Sequence, residues 1–207
     1  MSKFVTKAEL EEYTSNVMRT ATPREQSTDL ADLLHSYAGI ATEVAELVDI
    51  FKKRIFYGKA IDMVNLQEEI GDCFWYIGLL MSLPPNVTCP DLDVVLNEVL
   101  LDEKHFWESM DKDNKIPLED EFPEIEGITK VEWSFLYRLS DVKNPQRPEE
   151  LVYLILLLTY LNDFYGFLLK DTLDKNIEKL KARFPDKFDQ NKAINRDLNN
   201  ERKILEK

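Results

Sequence analysis

Two pairs of acidic residues with helical spacing carry the strongest chemical signal in this sequence. Glu43 and Glu46 lie in the segment GIATEVAELVDIFKK, and Glu69 and Asp72 lie in the segment LQEEIGDCFWYI. Residues three apart share one face of an α-helix, so each pair presents its carboxylates together, although helix geometry alone also permits Glu68 in place of Glu69. Facing carboxylates repel unless a proton or a cation neutralises them, and an all-oxygen set favours Mg²⁺ or Mn²⁺ over zinc. The spacing therefore predicts a divalent-cation site, with ordinary solvated helix faces as the alternative.

Apolar residues recur at helical intervals and predict the elements that must position these carboxylates. The stretches 27–56 and 66–81 are expected to form a helical hairpin, because Tyr57, Gly58 and Lys59 make a plausible C-terminal stop between them. A first helix precedes the TATPRE segment, and no stretch shows the alternation of a β-strand. We expect an all-α fold, with four to five core helices in a single domain over 1–207. The remaining helices are expected over 92–110, 129–139, 149–169 and 171–184, with a polar helix after Pro185.

Residues 84–150 differ in composition from the rest of the chain. They are rich in proline, acidic residues greatly outnumber basic ones, and the LEDEFPEIEG run is typical of a loop. We predict that this stretch is an inserted, partly helical acidic segment within the domain. A role in packing or assembly is favoured over a lid or a specificity element.

The net charge limits the class of partner. Acidic residues outnumber basic ones 39 to 26, which gives a formal charge of −13. Such a field repels the phosphate backbone of DNA and RNA, so polymeric nucleic acid is not an expected partner. A small anionic substrate stays possible where a divalent cation and a few basic residues reverse the sign locally.

The two cysteines and the apolar runs bear on the compartment. Cys73 and Cys89 have no spacing typical of a metal site or a disulfide framework, which suits a reducing cytoplasm. The N-terminal residues contain no apolar signal segment, and the longest apolar run, Leu151 to Leu161, is too short to span a bilayer. We expect a cytoplasmic protein without membrane association.

Three segments together resemble, in order, the signature of the MazG-like all-α NTP pyrophosphohydrolase superfamily. The two acidic segments supply ExxE and then ExxD, and NIEKLKARFPDKF supplies NxxK and a basic residue before an aromatic residue and proline. The resemblance covers 26–82 and 171–190. Family members have a short connection where this chain has the long acidic insertion.

The resemblance implies a fold, a metal and a reaction. It implies Mg²⁺ ligation by Glu43, Glu46, Glu69 and Asp72, and so selects Glu69 over Glu68. It also implies hydrolysis of a nucleoside triphosphate between the α- and β-phosphates, giving a nucleoside monophosphate and pyrophosphate. Glu46 or Glu43 is then the catalytic residue that orients or deprotonates the attacking water. The positions that match phosphate-binding or substrate-binding residues are Lys53, Tyr76, Asn176, Lys179 and Arg183.

Other readings of the same residues stay open. One alternative is that the site serves another phosphorylated nucleotide, such as a modified dNTP, guanosine tetraphosphate or a phosphoribosyl nucleotide. The other alternative is a non-catalytic helical interaction protein. The scattered glycines form no phosphate-binding loop, which argues against a kinase or P-loop ATPase. We give His35 and His105 no metal role, since a DxxH pair is not the ExxH of di-iron bundles. A minor substrate-side role stays open for His35, which lies two turns before Glu43. We give Trp75 no site role, since aromatic residues near a helical hairpin are usually core.

Self-association is expected from the apolar stretch from Leu151 to Leu169. Such a stretch is expected to be covered by a second copy as well as by the chain's own core. We therefore predict a homodimer or a dimer of dimers.

Overall fold

The computed structural model describes residues 7–23, 27–84, 87, 126–141, 148–186 and 188–206. Within these ranges the chain forms helices and no strand, so the all-α prediction is confirmed. The predicted helix over 92–110, with His105, lies outside the described residues. The helices are α1 (Lys7–Thr20), α2 (Asp29–Tyr57), α3 (Met63–Met81), α4 (Lys130–Asp141), α5 (Pro148–Phe164), α6 (Leu169–Arg183), α7 (Gln190–Ile194) and α8 (Leu198–Leu205).

Helices α2 and α3 form the predicted hairpin, and local sequence sets its turn. Gly58 ends α2 in the left-handed conformation, with φ of 65°, and the amide of Lys59 donates to the carbonyl of Lys53 at 3.2 Å. Glycine is favoured in this left-handed position because it has no Cβ. Asp62 then caps α3, its Oδ1 accepting from the amides of Val64 and Asn65. The hairpin is therefore fixed at both sides of its connection.

The apolar stripes of α2 and α3 meet in one core with α1, α5 and α6. Leu47 and Phe51 of α2 and Leu66 and Ile70 of α3 are fully buried in it. Gly71 lets α6 approach α3 closely, because a Cβ at this position would lie 3.0 Å from Cβ of Asn176. The core therefore holds the acidic faces of α2 and α3 in a fixed relation to α6.

The described end of the predicted insertion belongs to this core. Phe135 of α4 is 1% exposed, and its ring centroid lies 5.5 Å from that of Phe51. Arg54 of α2 also pairs with Glu132 of α4 at 2.9 Å. Helix α4 thus packs against α2, and the packing or assembly role expected for 84–150 as a whole stays a prediction, since most of that segment lies outside the described residues.

Helix α5 differs from the prediction in length and in how it is covered. It ends at Phe164 rather than 169, because a turn follows in which Gly166 has φ of 79°. Leu154, Leu157, Leu158 and the other leucines from 151 to 161 are buried within the chain itself. A helix that is apolar on all sides is typical of a core element. Phe164 and Leu168 stay 41% and 69% exposed, so self-association remains a prediction with a smaller apolar surface behind it.

Within the described ranges, no single helix is both long and apolar enough to cross a bilayer. Helices α5 and α6 meet the requirement only as a pair, and that pair is bent by 101° at its break.

The segment after Pro185 forms two short helices instead of the one polar helix expected. Asp189 caps α7 and Asp197 caps α8, each through a side-chain oxygen that accepts a backbone amide. Leu205 is 4% exposed, and Lys175 of α6 donates to its carbonyl at 2.9 Å. The buried leucine and this hydrogen bond hold α8 against α6.

Candidate functional site

Three of the four predicted metal ligands converge between α2 and α3. Glu43, Glu69 and Asp72 each offer a carboxylate oxygen, and these atoms lie within 4.8 Å of one another. We call this group the carboxylate triad. Glu69 is 7% exposed, whereas Glu43 and Asp72 are half-buried. Two helical rows therefore meet at one point, as their spacing predicted.

The fourth predicted ligand, Glu46, lies beside the triad rather than within it. It is exposed, one turn after Glu43, and it lines the same cavity. Its charge contributes to raising the pKa of both Glu43 and Glu69. The structure thus places Glu46 at the open side of the triad.

The triad carries more negative charge than its surroundings neutralise. Burial, followed by the charge of Asp72, raises the pKa of Glu43 to about 7. The same two causes, with Glu46, Glu43 and Glu68, raise the pKa of Glu69 to about 9. Each ionised carboxylate in this group disfavours the ionised form of its neighbours. Either protons or a cation must hold these groups together.

A hard divalent cation fits this donor set. The ligands are all carboxylate oxygens, which Mg²⁺ and Mn²⁺ prefer, and His and thiolate ligands are not among them. The raised pKa values of Glu43 and Glu69 identify the charge that such a cation would offset. Glu43, Glu69 and Asp72 are the residues that would hold it.

Two of the predicted substrate-binding residues hold Asp72 instead. Lys179 Nζ donates to Asp72 Oδ1 at 2.7 Å and to Oδ2 at 2.6 Å, and Asn176 Nδ2 donates to Oδ1 at 2.6 Å. Lys179 also donates to Glu68 Oε1 at 3.0 Å. Burial lowers the pKa of Lys179, but Asp72 and Glu68 more than offset this and its pKa is raised. Lys179 and Asn176 therefore fix the orientation of one triad carboxylate.

The contacts of Lys179 also explain why Glu69, and not the adjacent Glu68, belongs to the triad. Glu69 belongs to the triad, whereas Glu68 turns toward Lys179 and lies 3.6 Å from the Nη2 atom of Arg196. The preference for Glu69 that came from the family resemblance agrees with this arrangement.

The triad opens into a cavity of about 640 Å³, a volume within the range of small-molecule sites. One wall is aromatic: the ring centroids of Trp75 and Tyr76 lie 4.9 Å apart, and that of His35 lies 5.4 Å from Tyr76. Burial raises the pKa of Tyr76 to about 12, which keeps its hydroxyl protonated. His35, for which a minor substrate-side role was open, and Trp75, for which no site role was predicted, line the cavity together with the predicted Tyr76.

The other predicted basic residues have different surroundings. Arg183 lines the cavity and pairs with Glu201 of α8 at 2.7 Å. Lys53 is exposed, pairs with Asp49 one turn earlier, and is not among the residues that line the cavity. The structure thus brings Arg183 to the site and leaves Lys53 on the surface of α2.

The C-terminal segment supplies a wall that the sequence did not indicate. Its contributions include Ala193, Arg196, Leu198, Glu201 and Arg202. Arg202 forms two hydrogen bonds to Asp62, at 2.8 and 3.0 Å, and so ties α8 to the start of α3. No local motif marks these residues, because their relation to the triad depends on the chain turning back after Phe184.

Comparison with known proteins adds no further assignment. No protein-family model matches the chain, and no curated protein or solved structure matches it.

Proposed function

We propose that this chain is a Mg²⁺-dependent nucleoside triphosphate pyrophosphohydrolase. The observation that supports this most is the convergence of Glu43, Glu69 and Asp72 within 4.8 Å at the base of a cavity of about 640 Å³. The resemblance of the three sequence segments to the MazG-like superfamily gives the same reaction. Mn²⁺ is the expected substitute for Mg²⁺.

The proposed reaction is attack of water on the α-phosphorus. The water oxygen bonds to that phosphorus, the bond from it to the α–β bridging oxygen breaks, and pyrophosphate leaves with the bridging oxygen. Bound Mg²⁺ would offset the charge of the phosphate oxygens and lower the pKa of the attacking water. The products are a nucleoside monophosphate and pyrophosphate.

In this proposal, different residues bind the cation, orient its ligands and accept the proton of the attacking water. Glu43, Glu69 and Asp72 would hold the cation, and Lys179 keeps Asp72 oriented through its two hydrogen bonds. Glu46 is exposed to the cavity beside the triad, so it is our candidate for accepting the proton of the attacking water.

The remaining cavity residues would bind the nucleotide. The aromatic wall of His35, Trp75 and Tyr76 presents ring faces and edges against which a base can pack. Arg183 supplies positive charge on the opposite helix for phosphate oxygens.

The test is product analysis with purified protein, Mg²⁺ and a panel of nucleotides. We expect pyrophosphate as the first product from wild type and a loss of at least about a hundredfold in rate for Glu69→Gln, since removing a charge-stabilising group typically costs this much. Glu178→Gln, which removes an exposed carboxylate from α6, is the matched control and should keep full activity.

The possible products separate the alternatives. Orthophosphate as the first product would reject attack at the α-phosphate. Turnover confined to a modified dNTP, guanosine tetraphosphate or a phosphoribosyl nucleotide would keep the site and change the substrate. Mg²⁺ binding without turnover of any nucleotide would favour a helical interaction protein.

A further inference from the structure

Two arginines from different parts of the chain converge on one carboxylate at the cavity wall. Arg183 donates to Glu201 through Nε at 2.8 Å and through Nη2 at 2.7 Å. Arg196 donates to Oε2 of the same carboxylate through Nε at 3.2 Å and through Nη2 at 2.8 Å. We call Arg183 and Arg196 the arginine pair. The two guanidinium groups thus share this one carboxylate as an acceptor.

The arginine pair lies beside the carboxylate triad. Arg183, Arg196 and Glu201 line the cavity that contains the triad. Arg196 Nη2 is also 3.6 Å from Glu68 Oε1, and Glu68 accepts from Lys179, which in turn bonds Asp72. A short chain of contacts thus joins the guanidinium groups to the candidate metal ligands.

Contacts other than those of Glu201 also hold α8 in place. Arg202 pairs with Asp62, Lys175 bonds the carbonyl of Leu205, and the side chain of Leu205 is buried. These contacts lie C-terminal to Glu201 along α8 and do not involve the arginine pair. The carboxylate of Glu201, 5% exposed, is therefore better explained by what it does to the two arginines.

We infer that the arginine pair is a subsite for the terminal phosphates of the substrate and that Glu201 is the internal anion that occupies it until those phosphates bind. A group with several anionic oxygens can bridge two guanidinium forks on one side and a divalent cation on the other, as a diphosphate does. The inference rests on the proposed function for the identity of the substrate, which would then carry two phosphates beyond the α-phosphate. It requires that the phosphate oxygens replace Glu201 as acceptors of the arginine hydrogen bonds.

The experiment measures binding rather than turnover. Isothermal titration calorimetry would use imidodiphosphate, a pyrophosphate analogue whose P–N–P bridge resists hydrolysis, in buffer containing Mg²⁺. Arg196→Gln should weaken binding by about tenfold, since it removes charge-assisted hydrogen bonds to the anion. Glu201→Gln should strengthen binding by about tenfold, since it removes the competing charge while its amide oxygen can still accept from an arginine.

Matched controls separate the subsite from a general effect of charge. Lys203→Gln removes an exposed cation from α8, and Glu178→Gln removes an exposed anion from α6, so both should bind as wild type does. Circular dichroism and melting temperature establish that each variant is folded. Arg196 is 38% exposed, so its substitution tests the subsite even where Glu201→Gln perturbs the fold.

The outcomes separate this inference from the proposed function. Binding that is unchanged in Arg196→Gln, or no tighter in a folded Glu201→Gln, would overturn the subsite even if the protein hydrolyses nucleotides. Binding that weakens in Arg196→Gln and tightens in Glu201→Gln, in a protein that hydrolyses no nucleotide, would support the subsite and reject the proposed reaction.

Discussion

The Nζ atom of Lys179 lies 2.6 Å from Oδ2 of Asp72, and the lysine side chain is only 1% exposed. A buried ammonium is stable because Asp72 and Glu68 together offer it three carboxylate oxygens. In turn, the ammonium keeps Asp72 directed toward Glu43 and Glu69. The lysine is thus as much a part of the candidate metal centre as the ligands themselves.

Replacing this lysine is expected to destabilise the fold strongly. Lys179→Met should lower the free energy of unfolding by about 3 to 5 kcal/mol, because it leaves two partly buried carboxylates without their cation. Urea denaturation followed by circular dichroism measures the change. Lys170→Met is the control on the same helix, since the Lys170–Asp174 pair is fully solvated and should contribute nothing measurable. Equal stabilities for the two variants would show that the buried pair is not a structural centre.

Metal binding should appear as a gain in thermal stability. A ligand that binds the folded chain but not the unfolded chain raises the free energy of unfolding. The gain grows with the logarithm of the ligand concentration and is about 2.7 kcal/mol at a hundred times Kd. We expect Mg²⁺ and Mn²⁺ to raise the melting temperature of wild type and to have little effect on Glu69→Gln. Glu178→Gln should respond as wild type does. An equal rise in all three proteins would indicate that the cation binds elsewhere.

The stability of the metal-free protein should fall as pH rises. The folded-state pKa values of Glu43, about 7, and Glu69, about 9, lie above the ordinary value of 4.5, so the folded chain binds more protons than the unfolded chain between these limits. Stability falls with rising pH wherever the folded state binds more protons than the unfolded state. Here this range runs from about pH 5 to about pH 9. Chemical denaturation at a series of pH values, with a chelator present, measures this.

The control for the pH prediction is the same series on Glu69→Gln. Removing one triad carboxylate lowers the repulsion within the group, so the fall in stability over this range should be smaller. Identical slopes in the two proteins would assign the pH dependence to other groups. Added Mg²⁺ should reverse the trend in wild type, because ionised carboxylates bind the cation better.

The helical hairpin could be predicted from sequence because local chemistry determines it. Gly58 and the apolar stripe of α2 indicate its end, and the observed α2 begins at Asp29 and ends at Tyr57, close to the expected 27–56. The meeting of the two acidic rows follows from helix periodicity and a short connection. The choice of Glu69 over Glu68 needed the family resemblance, since both lie on the same side of α3.

The C-terminal wall of the site could not be predicted in this way. Arg196 and Glu201 have no neighbouring motif, and their contacts with Arg183 depend on where the chain turns after Phe184. The direction of a side chain could not be predicted from sequence either. Lys179 was expected to contact phosphate, but its buried ammonium instead pairs with Asp72. The predicted end of α5 was wrong because the apolar leucine pattern gives no sign of the turn at Gly166.

Gly39 of α2 lies against the ring of Tyr76, which is part of the aromatic wall of the cavity. A Cβ built at Gly39 would lie 2.2 Å from Cδ1 and Cε1 of Tyr76, so the ring lies directly against the backbone of α2. Within a helix, alanine is ordinarily favoured over glycine by about 1 kcal/mol. Here the clash should outweigh that preference, and Gly39→Ala should destabilise the protein by about 1 to 3 kcal/mol.

The sign of this effect should depend on Tyr76. In a Tyr76→Ala background the ring is gone, so Gly39→Ala should stabilise the chain by up to about 1 kcal/mol, as its helix propensity dictates. A double-mutant cycle by urea denaturation measures the coupling between the two positions. If Gly39→Ala changes stability equally in both backgrounds, then the ring does not depend on this glycine for its position in the cavity. If the sign reverses, then the glycine in α2 has the specific role of admitting the Tyr76 ring to the wall of the site.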